Sequence, residues 1–272
     1  MAVTMAEISK LRTMTGAGMM DCKNALTEAA SDFDKAIEII RKKGQATAAK
    51  RSDREASEGC VLAAANGGFA AVLALKCETD FVAKNADFVA LTQSVLDVAM
   101  ASKPATIEEL AALTIDGRVI SEVITDRSGI TGEKMELDYY EFVQGGTTAA
   151  YIHPGNKLAT LVAVAEEGVD TQVVRDVAMQ AAAMNPVSLD RTSVPQKVID
   201  TELEIGREKA REEGKPENML DKIAQGRLNK FFQESTLLEQ AFIKDGKITV
   251  ADYLKTNKAT AVAFKRVTLN QE

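Results

Sequence analysis

Two apolar runs joined by a glycine-bearing turn, then a segment of helical spacing, occur twice in this chain. In the first copy, residues 59–75 read as two strands meeting at Asn66-Gly67-Gly68. Phe88, Leu91, Val95 and Ala99 then recur as on one face of a helix over 86–100. In the second copy, 147–152 and 158–165 flank His153-Pro154-Gly155-Asn156 and lead into a helix over 171–184. Ala71-Val72-Leu73-Ala74-Leu75 and Thr160-Leu161-Val162-Ala163-Val164 occupy matching places. A short turn joins antiparallel strands, and their apolar faces need cover. The pattern predicts an α+β fold of two related halves, each a sheet backed by helices. Between them, 107–113 and 119–124 read as short helices. Residues 135–143 read as a further strand, with Tyr139 and Tyr140 on opposite faces.

The first copy ends in Lys76-Cys77-Glu78-Thr79-Asp80-Phe81-Val82-Ala83-Lys84-Asn85, where a strand gives way to a helix. Thr79 or Asp80 can accept from the free amides of a helix start and so fix a sharp corner. Phe81 follows at once. Its ring either folds back as an anchor for the helix or projects as a wedge into another protein. Pattern alone favours burial, since most Phe are buried in their own chain.

Composition narrows the function. A length of 272 residues with 46% hydrophobic content can bury a real core, in about two domains. A net charge of −7 argues against direct nucleic-acid binding, which needs a basic face. No run approaches the roughly 20 apolar residues that span a bilayer. No basic-then-apolar leader opens the chain, so a cytoplasmic protein is expected. Cys22, Cys60 and Cys77 form no CxxC pair, and His153 is the one histidine, so no metal site or cofactor is expected. With Gly67-Gly68 as the turn, Cys60 is only diagonal to Cys77, about 7–8 Å away and too far for an unstrained disulfide. All three thiols read as small buried hydrophobes. An enzyme is not expected: there is no nucleophile elbow, and no shielded second carboxylate partners Glu78 or Asp80.

Residues 1–44 read as three short helices, with stripes at Ile8, Leu11 and Met14, at Ala25, Leu26 and Ala29, and at Ala36, Ile37 and Ile40. Ser31 or Asp32 caps the third, and Gly44 stops it. Thr15-Gly16-Ala17-Gly18-Met19-Met20 joins the first two. It lacks the flanking strand and residues of a phosphate loop. Two adjacent methionines cannot both face one core, so the loop presents one Met to a partner.

Leu11-Arg12, Thr15-Gly16-Ala17-Gly18-Met19-Met20-Asp21-Cys22-Lys23 and Ala25-Leu26 together resemble the amino-terminal signature of the elongation factor Ts family. Thr79-Asp80-Phe81-Val82-Ala83-Lys84-Asn85 resembles that family's second signature, at the expected spacing. The resemblance covers about residues 4–269. It implies a guanine-nucleotide exchange factor for elongation factor Tu, the GTPase that delivers aminoacyl-tRNA. Its partner would be the GDP-bound and nucleotide-free GTPase. Thr79, Asp80, Phe81 and Val82 would form a wedge that displaces the elements holding the magnesium ion and phosphates. Arg12, Met19, Met20 and His153, the last in Tyr151-x-His153, would grip the GTPase domain. Ile243, in Leu237-Leu238-Glu239-Gln240-Ala241-Phe242-Ile243, would lie near the partner's third domain, although the family usually has Pro where Ala241 stands.

The resemblance also implies a ubiquitin-associated-like domain over 1–44 and a core of two subdomains, 58–140 and 141–194 with 234–272. A protruding antiparallel coiled-coil hairpin is inserted over 195–233. Between the first helices and the core, 45–57 carry Lys50, Arg51 and Arg54 but no apolar stripe, and read as a solvated linker. Over 195–233 the chain holds eight basic and eight acidic residues, as a solvated arm should. Val198, Ile199, Leu203 and Ile205 stripe its first helix, and Leu220, Ile223, Ala224 and Leu228 its second. Gly214-Lys215-Pro216 breaks the two. In some family members this hairpin joins subunits, which leaves a homodimer open. A short helix over 250–254 and a closing strand over 259–269 complete the chain, and the extra carboxyl-terminal helix of longer members is expected to be missing. A reading of another class is an adaptor whose three-helix domain binds peptides or ubiquitin-like folds, with Phe81 idle.

Overall fold

The computed structural model describes residues 3–270, which divide into two units: 3–62, 73–140 and 269–270 in one, 63–72 and 141–268 in the other. Helices α1 (Met5–Thr15), α2 (Met19–Glu28) and α3 (Phe33–Ala49) open the first. Thr4 and Glu7 form a capping box at the start of α1, Gly16 ends it at φ 70°, and Asp32 caps α3. Ile8, Leu11, Cys22, Ala25, Leu26, Ala29 and Ala36 form their shared core.

Two sequence expectations fail here. Met14 is exposed, because at about 100° per residue it lies roughly 120° round the helix from Ile8, and Thr15 takes the inner place instead. Gly44 does not stop α3, which continues into the expected linker as far as Ala49. The glycine serves packing instead: a Cβ on Gly129 would overlap the Gly44 backbone, so two helices meet there with no side chain between them.

The chain continues as β1 (Glu58–Asn66), β2 (Phe69–Cys77), α4 (Asp80–Ala83), α5 (Ala86–Ser102) and α6 (Ile107–Ala112). A small hairpin, β3 (Thr114–Ile115) and β4 (Arg118–Val119), leads to α7 (Ile120–Thr131), and β5 is Glu136–Gln144. The turn before β2 carries Gly67 at φ 58°. Strand β2 lies between β1 and β5, and seven of its nine residues, Phe69 to Leu75, are buried in one run. Helix α7 outruns the expected end at 124 and stops at Gly132, φ 73°. The turn-like Ser128-Gly129 disguised its second half, yet Gly129 is the residue that meets Gly44 of α3.

The second unit contains β6 (Thr147–Ile152), β7 (Leu158–Val164) and α8 (Thr171–Met184), then α9 (Gln196–Glu212) and α10 (Leu220–Ser235). Strands β8 (Ala241–Phe242) and β9 (Asp245–Thr249), α11 (Val250–Thr256) and β10 (Ala261–Thr268) follow. Strand β7 is fully buried and central, antiparallel to β6 and β10, with Ala149 opposite Val162 and Phe264 opposite Val162 on the other side. In both three-stranded sheets the second strand of the hairpin is central, a detail beyond the expected pair of sheet-and-helix halves. Val162, Val164, Val174, Val177, Ala178 and Ala181 are buried with Leu237, Phe242 and Leu254.

Helices α9 and α10 pack on each other, Gly206 against Ala224, with Val194, Leu228 and Phe232 buried together and Val198, Ile199 and Leu203 packed against them. Ile205, expected in that seam, faces out. Within 237–243 only Ala241–Phe242 is extended, and β9 carries no strand pattern in the sequence because Ile248 is its one large apolar residue. Cys22, Cys60 and Cys77 are buried and lie outside any disulfide. No helix among the described residues is long and apolar enough to cross a membrane.

Candidate functional site

The corner after β2 is built from backbone amides and carboxylates. Thr79 is the N-cap of α4, its hydroxyl accepting from the Val82 amide at 3.4 Å. The same hydroxyl donates to Glu133 Oε1 at 2.6 Å. Glu133 Oε2 accepts from the Glu78 and Thr79 amides at 3.1 and 3.0 Å. Glu78 returns the contact: its Oε1 accepts from the Lys134 amide at 2.7 Å, and Arg51 Nη1 donates to both its oxygens at 3.4 Å. Hydrogen bonds to a charged acceptor are worth about 1.5–3 kcal/mol each, so this corner is held well beyond what a loop needs.

The far end of α4 is also held. Asn85 caps α5 through the Asp87 amide, and Arg127 of α7 donates to Asn85 Oδ1 at 3.3 Å and to Asp87 Oδ2 at 3.0 Å. Cys77 donates to the Thr79 carbonyl beneath the corner, and burial pushes its pKa up to about 12, so it stays a neutral thiol.

On this hydrogen-bonded turn Phe81 is 85% exposed, the most exposed large hydrophobic side chain among the described residues. Its ring does not anchor α5; Phe88, fully buried, does that. Val82 is half-buried. Asp80 pairs with Lys84 at 2.7 Å, and that carboxylate raises the Lys84 pKa. The pair is a surface one of the kind worth little. The cap and its bonds use the Thr79 side chain inside the protein, which leaves Phe81 and Asp80 as the groups presented.

Arg12, in the last turn of α1, and Met19 and Met20, in the first turn of α2, flank the Gly16–Gly18 turn and are all exposed. Met19 is 46% and Met20 63% exposed, so neither fills the core, and they sit on a helix rather than in a loop.

In the second unit, His153 is an exposed turn residue whose Nδ1 lies 3.0 Å from the Tyr151 hydroxyl. Ile243 is 44% exposed, and its amide donates to Gln180 Oε1 at 2.8 Å. Next to it, Lys244 bonds Asp176 at 2.6 Å. Burial pushes Asp176 up, but bonds from Lys244, Gln172 and Tyr253 outweigh it and hold the carboxyl below its ordinary range.

Among the described residues no group of three or more His, Cys, Asp or Glu is placed to hold a metal. Sequence reasoning missed Glu133 and Arg127, and gave Arg51 to solvent. The one sequence signal for Glu133 was the helix-ending Gly132 just before it.

A family model described as Elongation factor TS matches residues 78–271. Over the whole of both chains the protein is 62% identical to Elongation factor Ts of Porphyromonas gingivalis and 57% identical to that of Azobacteroides pseudotrichonymphae. It is 53% identical to that of Amoebophilus asiaticus over 98% of this chain and 99% of the relative. On the strength of matches that run through both signatures and the whole length between them, the chain belongs to the elongation factor Ts family of translation elongation factors.

Proposed function

We propose that this protein is the guanine-nucleotide exchange factor of the GTPase elongation factor Tu, binding its GDP-bound and nucleotide-free forms. The observation that carries the reading is the exposed Phe81 on a corner hydrogen-bonded at both ends. A soluble chain gains by burying such a ring, roughly 1.5–3 kcal/mol, and a rigidly held exposed one is suited to burial in a partner. A GTPase holds GDP through phosphate contacts and a magnesium ion. A protein that binds the nucleotide-free form more tightly than the GDP form weakens GDP binding by the same factor. Phe81 and Asp80 supply that differential contact by displacing the elements that hold the ion. Arg12, Met19, Met20 and His153 grip the same domain in either state, and Ile243 meets a further one. Residues 195–233 form an arm outside this machinery.

The adaptor alternative is not favoured, since it leaves the family-wide match over residues 78–271 without a task. The test is GDP release from purified elongation factor Tu with and without this chain. Faster release, and a nucleotide-free complex that excess GDP dissociates, are expected. Co-elution that GDP leaves unchanged would contradict the linkage.

A further inference from the structure

Both ends of the Phe81 turn are fixed from α7 and the two residues that follow it. Glu133, directly after α7, binds the amides of Glu78 and Thr79 on the entering side. Arg127, within α7, binds Asn85 and Asp87 on the leaving side. Both are mostly buried or half-buried rather than presented: the Arg127 side chain is 15% exposed, and Glu133 is half-buried. The Glu133 backbone is itself bonded to α7, its amide donating to Thr131 Oγ1 at 3.3 Å and its carbonyl accepting from Ser128 Oγ. Helix α7 in turn meets α3 at Gly129 and Gly44, and Arg51, just beyond α3, grips Glu78. Arg127 also lies against Gly16, where an added Cβ would stand 3.5 Å from its Nη1.

We propose that Glu133 and Arg127 are positioning residues for nucleotide exchange, fixing the two ends of the α4 turn so that Phe81 enters the GTPase at one angle. This rests on the exchange reading above. Glu133 has the larger share, because its carboxylate accepts three bonds from two adjacent residues. A wedge displaced by about 1 Å can lose up to a hundredfold in rate while the surfaces that merely bind remain intact.

The experiment measures GDP release from elongation factor Tu at rising concentrations of four variants: Phe81→Ala, Glu133→Ala, Glu133→Gln and the double change Phe81→Ala with Glu133→Ala. Amide hydrogen exchange at Glu78 and Thr79 is followed on the same samples. Glu133→Ala is expected to lower the maximal rate about tenfold or more, with half-saturation moved less than about threefold, and to unprotect both amides. Glu133→Gln keeps an acceptor oxygen and should recover most of the rate. In the double variant Glu133→Ala should add little to Phe81→Ala, because it acts through that ring.

Normal exchange by Glu133→Ala beside slow exchange by Phe81→Ala overturns the positioning role and leaves the wedge standing. Losses that multiply in the double variant overturn it too. Normal exchange by Phe81→Ala removes the exchange reading on which it rests. Should Glu133→Ala not fold, Glu133→Asp, which withdraws the carboxylate by one methylene from the Thr79 hydroxyl and both amides, gives the same comparison, and unchanged maximal rate with both amides unprotected there overturns the proposal.

Discussion

The chain turns from a central buried strand into a helix twice, after β2 and after β7, and it does so differently. After β7, Glu166 accepts from the Thr260 amide and hydroxyl at 2.7 and 2.8 Å, Asp170 caps α8, and the exposed side chains of 165–172 are all small or polar. After β2, an extra turn of helix is inserted before α5, fastened at both ends, and its second residue is an exposed phenylalanine. The second corner shows that a strand-to-helix reversal of this kind needs no surface aromatic. Topology therefore does not account for Phe81, and the cost of leaving it in water is not forced by the fold.

The largest expected effect separates Phe81 from its neighbour Phe88, the ring that does anchor α5. Phe88→Ala should lower unfolding free energy by about 3–5 kcal/mol, while Phe81→Ala should change it by less than about 1 kcal/mol. Equal losses in chemical denaturation would erase the distinction between wedge and anchor.

A smaller effect belongs to the second unit. Asp176 is buried under Lys244, Gln172 and Tyr253, and Asp176→Asn should cost about 1–3 kcal/mol at neutral pH. Its folded pKa is depressed. The native carboxylate's contribution is therefore present above its unfolded pKa, about 3.9, and is lost as pH falls through the lower folded value. Denaturant midpoints of the parent and Asp176→Asn should converge on acidification, and a gap that persisted to the lowest pH would sink this assignment. Exchange should be less affected than by any change at the first corner.

How much of this was legible in the sequence follows the range of the interactions. The hairpins, the central strands, α8 and the α9–α10 pair are written in local periodicity, and the cap at Thr79 in local chemistry. Gly44 misled because a glycine at a helix end and one at a helix crossing look alike until Gly129 is placed opposite it. Glu133 and Arg127 were invisible because their partners lie 54 and 42 residues away. Phe81 showed the limit most clearly: pattern alone buried the ring, resemblance to the family turned it outward, and it is 85% exposed.

The smallest stability effect is expected at Met19 and Met20. Met19→Asp and Met20→Asp should each leave thermal unfolding within about 0.5 kcal/mol of the parent while weakening association with elongation factor Tu. Large stability losses from both would return these side chains to the core and narrow the presented surface to the first corner.

The central claim is that the exposed ring after β2 acts on a partner while the fold does not need it. The most direct measurement pairs the GDP-release rate of elongation factor Tu with the denaturant midpoint for Phe81→Ala on one preparation. Burial worth roughly 1.5–3 kcal/mol translates, at about 1.4 kcal/mol per decade, into exchange slower by about one to two decades. The account predicts that loss with the midpoint unmoved. Normal exchange, or exchange lost only together with the fold, would contradict it.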